Sequence, residues 1–220
     1  LPIYTVANGI TVLPPDVNHS DYRFVPTDSK TIRYGLGAVK GTGQQAVECI
    51  LAARAEGGPF KDLFDFCLRV DKRLVNRRTI EALIRAGAFD TLDPSRDRAQ
   101  LIASVSIAME AADQAERNAH QGGLFEMFGS GDDAVAEAPQ YVSVRPWSDK
   151  QRLLEEKTAL GFFYSGHPFD SIRSEAKRFA GRPLSALAPA REPQTLAGVV
   201  MDLRVKMTSR GRMGIIILDD

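Results

Sequence analysis

Apolar residues recur with helical spacing over most of the chain, and the period changes to two only near its end. Val47, Ile50 and Leu51, with Arg54 on the same face, predict a helix that stops at Gly57-Gly58. Pro59 stands near the start of the next helix, where a missing N–H costs nothing, and Leu63, Phe64, Cys67 and Val70 give that helix its buried stripe. Asn76 is placed to cap a third helix, with Ile80, Leu83 and Ile84 inside and Gly87 as the stop. The run "DRAQLIASVSIAMEAADQAERNA" predicts a longer helix ending near Ala119. Helical pattern resumes at Ser148, which has capping-box spacing to Gln151, and continues through Leu153, Leu154, Lys157 and Leu160. Phe169, Ile172, Ala176 and Phe179 form another apolar stripe. Val199, Met201, Leu203, Val205 and Met207 then alternate with Val200, Asp202, Arg204 and Lys206, as a strand requires. "TSRGR" turns the chain and "MGIIIL" makes a second strand. Two strands are not stable alone, so they are expected to belong to a sheet cut off at Asp220.

Two stretches lack this periodicity. Residues 8–34 are turn-rich and extended, with Pro14-Pro15 forbidding a helix and "TIRY" reading as a short strand. Residues 121–146 are rich in glycine and small residues and carry four acids (Glu126, Asp132, Asp133 and Glu137), the composition of a mobile linker. The 220 residues, 44% hydrophobic and 25% charged, suffice for one or two soluble domains. Lys+Arg and Asp+Glu both number 28, so no global field attracts a polyanion and any such site must come from local clustering. Cys49 and Cys67 lack a CxxC or Cys/His partner and read as reduced core residues of a cytoplasmic protein. No apolar run is long enough to span a bilayer, which argues against a membrane partner. The chain opens "LPIYTVANGI" without an initiator Met, and a piece of a larger protein is expected.

The candidate chemistry begins at "GLGAVKGTGQQAVECIL", residues 35–51. A short helix, a Gly-x-Gly turn and a second helix are the parts of a helix-hairpin-helix. Gly41 and Gly43 free the backbone N–H groups around Thr42 and Gln44 to point outward, at the mouth of a helix whose dipole favours an anion. Lys40 adds a mobile positive charge. Together these suit one phosphate of a nucleic-acid backbone and read no base. Thr42 stands where the motif usually carries an aliphatic residue, which predicts a looser anchor. A helix connection whose glycines merely allow tight packing is the alternative. Between Arg69 and Arg85 six bases face two acids. Lys72, Arg73, Arg77 and Arg78 cluster around "DKRLVNRRT", with Asn76 among them, just before another amphipathic helix. This reads as a second, degenerate hairpin with cationic side chains in place of glycines, the alternative being an ordinary solvated helix start.

At this point "VLPPDVN", "IRYGLGAVKGTG", "GGPFKDLFDFC", "VNRRTIEALIRAGAFD", "LGFFYSGHPFD" and "LDD" resemble, in order, the C-terminal half of the C-family replicative DNA polymerases of bacteria. The resemblance implies a mainly α fold: residues 1–34 as the end of a fingers region, 35–120 as a tandem helix-hairpin-helix domain on duplex DNA, 121–146 as a linker with a clamp-binding motif, 147–193 as a helical connector, and 194–220 as the first strands of a truncated OB-fold. It implies a DNA-directed DNA polymerase whose catalytic carboxylates lie upstream, so neither Asp132-Asp133 nor Asp219-Asp220 is assigned to its metals. Mg2+ is implied for the whole enzyme, with no cofactor in this segment. Within the linker, Gln121, Leu124 and Phe125 of "QGGLF" are similar to the pentapeptide by which sliding-clamp partners dock two apolar side chains and one amide. Met127-Phe128 offers a competing register. Implied partners are double-stranded DNA, the sliding clamp, other replicase subunits and single-stranded template at the OB-fold. An error-prone paralogue of the class and a non-enzymatic DNA-binding scaffold are the rival readings. His167 before Pro168 lacks a catalytic constellation and is expected in a turn. Arg204, Lys206, Arg210 and Arg212 could face single-stranded template or simply protect an exposed edge.

Overall fold

The computed structural model describes residues 9–125, 140–209 and 211–220, with the side chains of 120–125 outside that description. The chain forms two compact units, Leu1–Tyr164 and Ser165–Asp220. Helix dominates, and the strands make two small sheets.

In the first unit β1 (Thr11–Leu13), β2 (Val25–Pro26) and β3 (Thr31–Arg33) form a sheet in the order β1-β3-β2, with β1 parallel and β2 antiparallel to β3. A single 3-10 turn, Leu36–Ala38, leads into α1 (Gln44–Gly57), then α2 (Leu63–Arg69), α3 (Arg77–Arg85), α4 (Arg98–Phe125) and α5 (Asp149–Leu160). The arm expected to be a short helix before the glycine turn is therefore one 3-10 turn. The expected caps form: Asn76 Oδ1 accepts from the Thr79 N–H and Ser148 Oγ from the Gln151 N–H.

One core gathers Val17, Leu36, Val47, Ile50, Ile80, Leu83 and Phe89, all buried. On α2 the deepest aromatic is Phe66 rather than the expected Phe64. Phe66 lies three residues from Leu63 on the buried side and meets the rings of Phe60 and Phe89 at 4.8 and 4.9 Å. The segment before Tyr34 packs into this same core through Val17, and Asn18 exchanges two hydrogen bonds with the Phe60 backbone.

The expected linker 121–146 differs at both ends. The α4 backbone continues to Phe125. From Tyr141 the chain is docked: its ring meets Phe64 edge-on at 4.9 Å, its Oη accepts from the Leu63 N–H, and the Val142 N–H donates to Ser104 Oγ. One aromatic side chain outweighs the linker-like composition around it. Helix α5, expected in a separate connector, packs on α3 within the first unit.

In the second unit the apolar stripe expected from Phe169 to Phe179 contracts to one turn, α6 (Arg173–Ala176). Side chains capture the backbone ahead of it: the His167 N–H donates to Asp170 Oδ2 and the Phe169 N–H to His167 Nδ1. His167 thus sits in a turn. Phe169 is buried, whereas Ile172 and Phe179 are exposed. β4 (Val199–Thr208) and β5 (Gly211–Asp219) pair antiparallel, with a bulge between Val200 and Asp202. Leu203, Val205, Met207 and Ile216 are each more than half exposed.

Candidate nucleic-acid interface

The site is built around the turn between Val39 and α1. Gly35 and Gly37 serve packing: a Cβ at either would strike the Tyr22–Arg23 backbone or the Tyr22 ring. Gly41 is different. Its φ of +88° lies in the left-handed region, and a Cβ there would meet only Ala82 Cβ at 3.8 Å. Gly43 has an extended backbone and nothing within 4 Å of a built Cβ. The turn is open on its outer side, and Lys40, Gly41 and Gly43 are exposed.

Thr42 does not loosen the anchor. Its Oγ1 lies 2.7 Å from both the Leu36 and Val39 carbonyl oxygens, and its N–H donates to Val39 O at 3.2 Å. The hydroxyl replaces an apolar plug with hydrogen bonds inside the turn.

Helix α1 leaves its first donors unused. Its first intrahelical bond runs from the Val47 N–H to Gly43 O at 3.1 Å. No side chain caps it, no acid stands in its first turn, and among the described residues nothing accepts from the N–H groups of Gln44, Gln45 and Ala46. Helices α2, α3 and α5 are capped by Asp62, Asn76 and Ser148, and Asp97 accepts from the Ala99 N–H at the start of α4. The free amides converge where the helix dipole is positive, which suits an anion. The Gln44 side chain turns away to donate to Glu48 at 2.7 Å.

The bases of the second cluster are mostly spent. Lys72 pairs with Asp113 and Glu116 of α4. Burial works against the Lys72 charge, but the hydrogen bonds of those two acids outweigh it and hold the ammonium above its ordinary pKa. Arg73 forms a fork with Asp71 in its own turn, and its hydrogen bond lowers the Asp71 carboxyl to about 2. Asn76 caps α3, and Arg77 pairs with Glu81 at 2.7 Å. Of the expected cationic cluster, Arg73 and Arg77 are exposed but paired close by in sequence, and Arg78 is exposed without an ion pair among the described residues. Arg78 precedes Ala82 by one helical turn, and Ala82 is the residue beneath Gly41, so Arg78 and the glycine turn share one side.

A family model described as a helix-hairpin-helix motif matches residues 9–100, crossing the boundary expected at residue 34. The chain is 49% identical to the DNA polymerase III subunit alpha of Neisseria meningitidis serogroup A over 97% of its length. It is 44% identical to the Pseudomonas aeruginosa subunit alpha and 41% identical to that of Escherichia coli K12, each over 96%. Over nearly its whole length the chain is similar to DNA polymerase III α subunits. It spans 18–19% of the length of these relatives.

In this chain Gln121, Leu124 and Phe125 lie on the last turns of the α4 backbone, and their side chains fall outside the described residues, as Met127-Phe128 does entirely. Among the described residues no group of three or more His, Cys, Asp and Glu converges to hold a metal. No helix among the described residues is long and apolar enough to cross a membrane. Arg204 pairs with Asp202, Lys206 and Arg212 are exposed, and Arg210 lies outside the described residues. Sequence reasoning missed how α5 is tied to the hairpin. The Lys40 N–H donates to Ala159 O at 2.7 Å, and the Tyr164 hydroxyl donates to Val12 O at 2.7 Å. A glycine at the end of the α5 pattern, Gly161, is the one signal that could have pointed there, and it does not name its neighbour.

Proposed function

We propose that this chain is the part of a replicative, cytoplasmic DNA-directed DNA polymerase that grips duplex product through its sugar-phosphate backbone and tethers the enzyme to its sliding clamp. The observation that carries the reading is the uncapped N-terminus of α1 behind an open glycine turn. A phosphate oxygen there accepts from amides that have no other partner, at the positive end of a helix, and no base edge is read. Arg78 adds a charge on the same side. The clamp contact is supported by the pattern of Gln121, Leu124 and Phe125 and by the family. Joining a weak peptide contact to a weak duplex contact raises the effective concentration of each, which is how processivity arises. Mg2+-dependent phosphoryl transfer is assigned to parts of the enzyme outside this chain, and other replicase subunits are further partners. The exposed β4–β5 hairpin is read as the first strands of an OB-fold near single-stranded template.

Fluorescence anisotropy with two duplexes of unrelated sequence tests the reading. Equal affinities that fall steeply with salt support it, and a sequence preference or no binding overturns it. In a parallel pull-down, Leu124→Ala with Phe125→Ala abolishes clamp capture and leaves duplex affinity unchanged. Retained capture removes the pentapeptide from the account. The chain alone incorporates no nucleotide.

A further inference from the structure

We infer that the C-terminal end of α5 is part of the phosphate-gripping turn and that Gly161 positions Lys40, an inference that rests on the duplex reading above. Two observations meet there. The Lys40 N–H donates to the Ala159 carbonyl at 2.7 Å, so the end of α5 holds the backbone of the turn. A Cβ on Gly161 would lie 3.1 Å from both Cε and Nζ of Lys40, so the lysine side chain is laid across this glycine. Gly161 caps α5 in the left-handed region, with φ +92° and its N–H bonded to Lys157 O.

The electrostatics explain why a lysine is laid there. The end of a helix carries unpaired carbonyls and a partial negative charge. Through Lys40 this end of α5 is brought beside the mouth of α1, where the anion would sit. Unscreened, it would oppose the positive field that α1 supplies. The Lys40 ammonium, resting at Gly161, neutralises it and stays next to the turn instead of ranging over solvent. The gripping element is therefore composite: its glycines and amides come from residues 41–46, and its charge is set by residues 159–161, which lie beyond the helix-hairpin-helix match at residues 9–100.

α5 is itself fixed to the same body. Glu156 is fully buried and pairs with Arg98 at 3.0 Å, so the end of the helix does not drift from the turn.

The test uses the whole chain and anisotropy on a short duplex. Gly161→Asn is the informative variant, because asparagine tolerates a left-handed backbone while its side chain takes the bed of Lys40. The expected result is affinity weakened about five- to tenfold and a salt slope reduced by about one, as for loss of one phosphate charge. In a Lys40→Ala background the same substitution then costs nothing further. Gly58→Ala places a side chain at another positive φ, +76°, with nothing within 4 Å, and its ψ of −170° makes the backbone strain greater than at Gly161 without touching Lys40. It leaves affinity and slope unchanged. Gly161→Asn binding like wild type, losses that add fully to those of Lys40→Ala, or an equal loss in Gly58→Ala each overturn the positioning role. If wild type itself binds no duplex, the duplex reading fails first and the inference falls with it.

Discussion

Arg98 and Glu156 stand 58 residues apart in sequence and meet at 3.0 Å in the interior of the first unit. Glu156 is fully buried and the Arg98 side chain is 10% exposed. The Arg98 guanidinium also reaches both Asp90 oxygens and the Arg85 carbonyl. Burial disfavours its charge, but Asp90 and Glu156 outweigh that and raise its pKa above the ordinary arginine value. One cation thus joins the end of α3, the start of α4 and α5.

Removing Glu156 takes a charge-assisted hydrogen bond from Arg98, which keeps its fork with the partly exposed Asp90. Glu156→Ala is expected to destabilise the chain by about 1.5–3 kcal/mol. Urea unfolding followed by circular dichroism checks this, and a loss below about 1 kcal/mol would show that the triad holds little.

Thr42→Val keeps the shape and removes the donor from the Leu36 and Val39 carbonyls. The expected cost is about 1 kcal/mol in thermal unfolding. A gain in stability would restore the view that an aliphatic plug belongs in this turn.

Asp71 gives an acid-side prediction. Its folded pKa of about 2 lies below the ordinary 3.8, so its contribution is complete above about pH 4 and disappears as pH falls toward 2. Carboxyl carbon NMR resolves the residue directly. Arg73→Ala is expected to return the midpoint toward 3.8, because the hydrogen bond from Arg73 is the largest cause.

Cys67 is buried, and burial pushes its thiol up to about 12 from 9.0. The folded chain is expected to resist thiol reagents at Cys67 at pH 8, and denaturant to expose it. On the alkaline side the unfolded chain ionises first, so stability contributed at Cys67 declines as pH rises from 9 toward 12. Rapid labelling of Cys67 in native protein would contradict its place beside Phe66 in the core.

What the sequence made legible was local. Val47 and Ile50 marked the buried face of α1, Asn76 and Ser148 marked two helix starts, and Gly41 sits where a positive φ requires glycine. These features depend on residues three or four positions apart, which a linear pattern records. The charge of the second hairpin was misread because the partners of Lys72, Asp113 and Glu116, arrive from α4, 41 and 44 residues away. The support of the glycine turn was hidden for the same reason, since Ala159 offers only a backbone carbonyl that no side-chain pattern announces. At Phe169–Phe179 a sound apolar spacing failed because Asp170 and His167 captured the backbone first.

Phosphate gripping by α1 is tested most directly with Gly43→Asp. Gly43 has φ −80° and ψ 157°, a backbone any residue adopts, with open space where a Cβ would stand. Aspartate is a favoured N-cap, so it should fill the free amides of α1 with its own carboxylate and raise stability by a few tenths of a kcal/mol. Duplex affinity should fall about tenfold or more for every sequence alike, because the place of the phosphate is taken by a like charge. A more stable protein that loses its DNA is the expected result. Gly43→Asp binding duplex as tightly as wild type would contradict the claim that these amides hold the backbone.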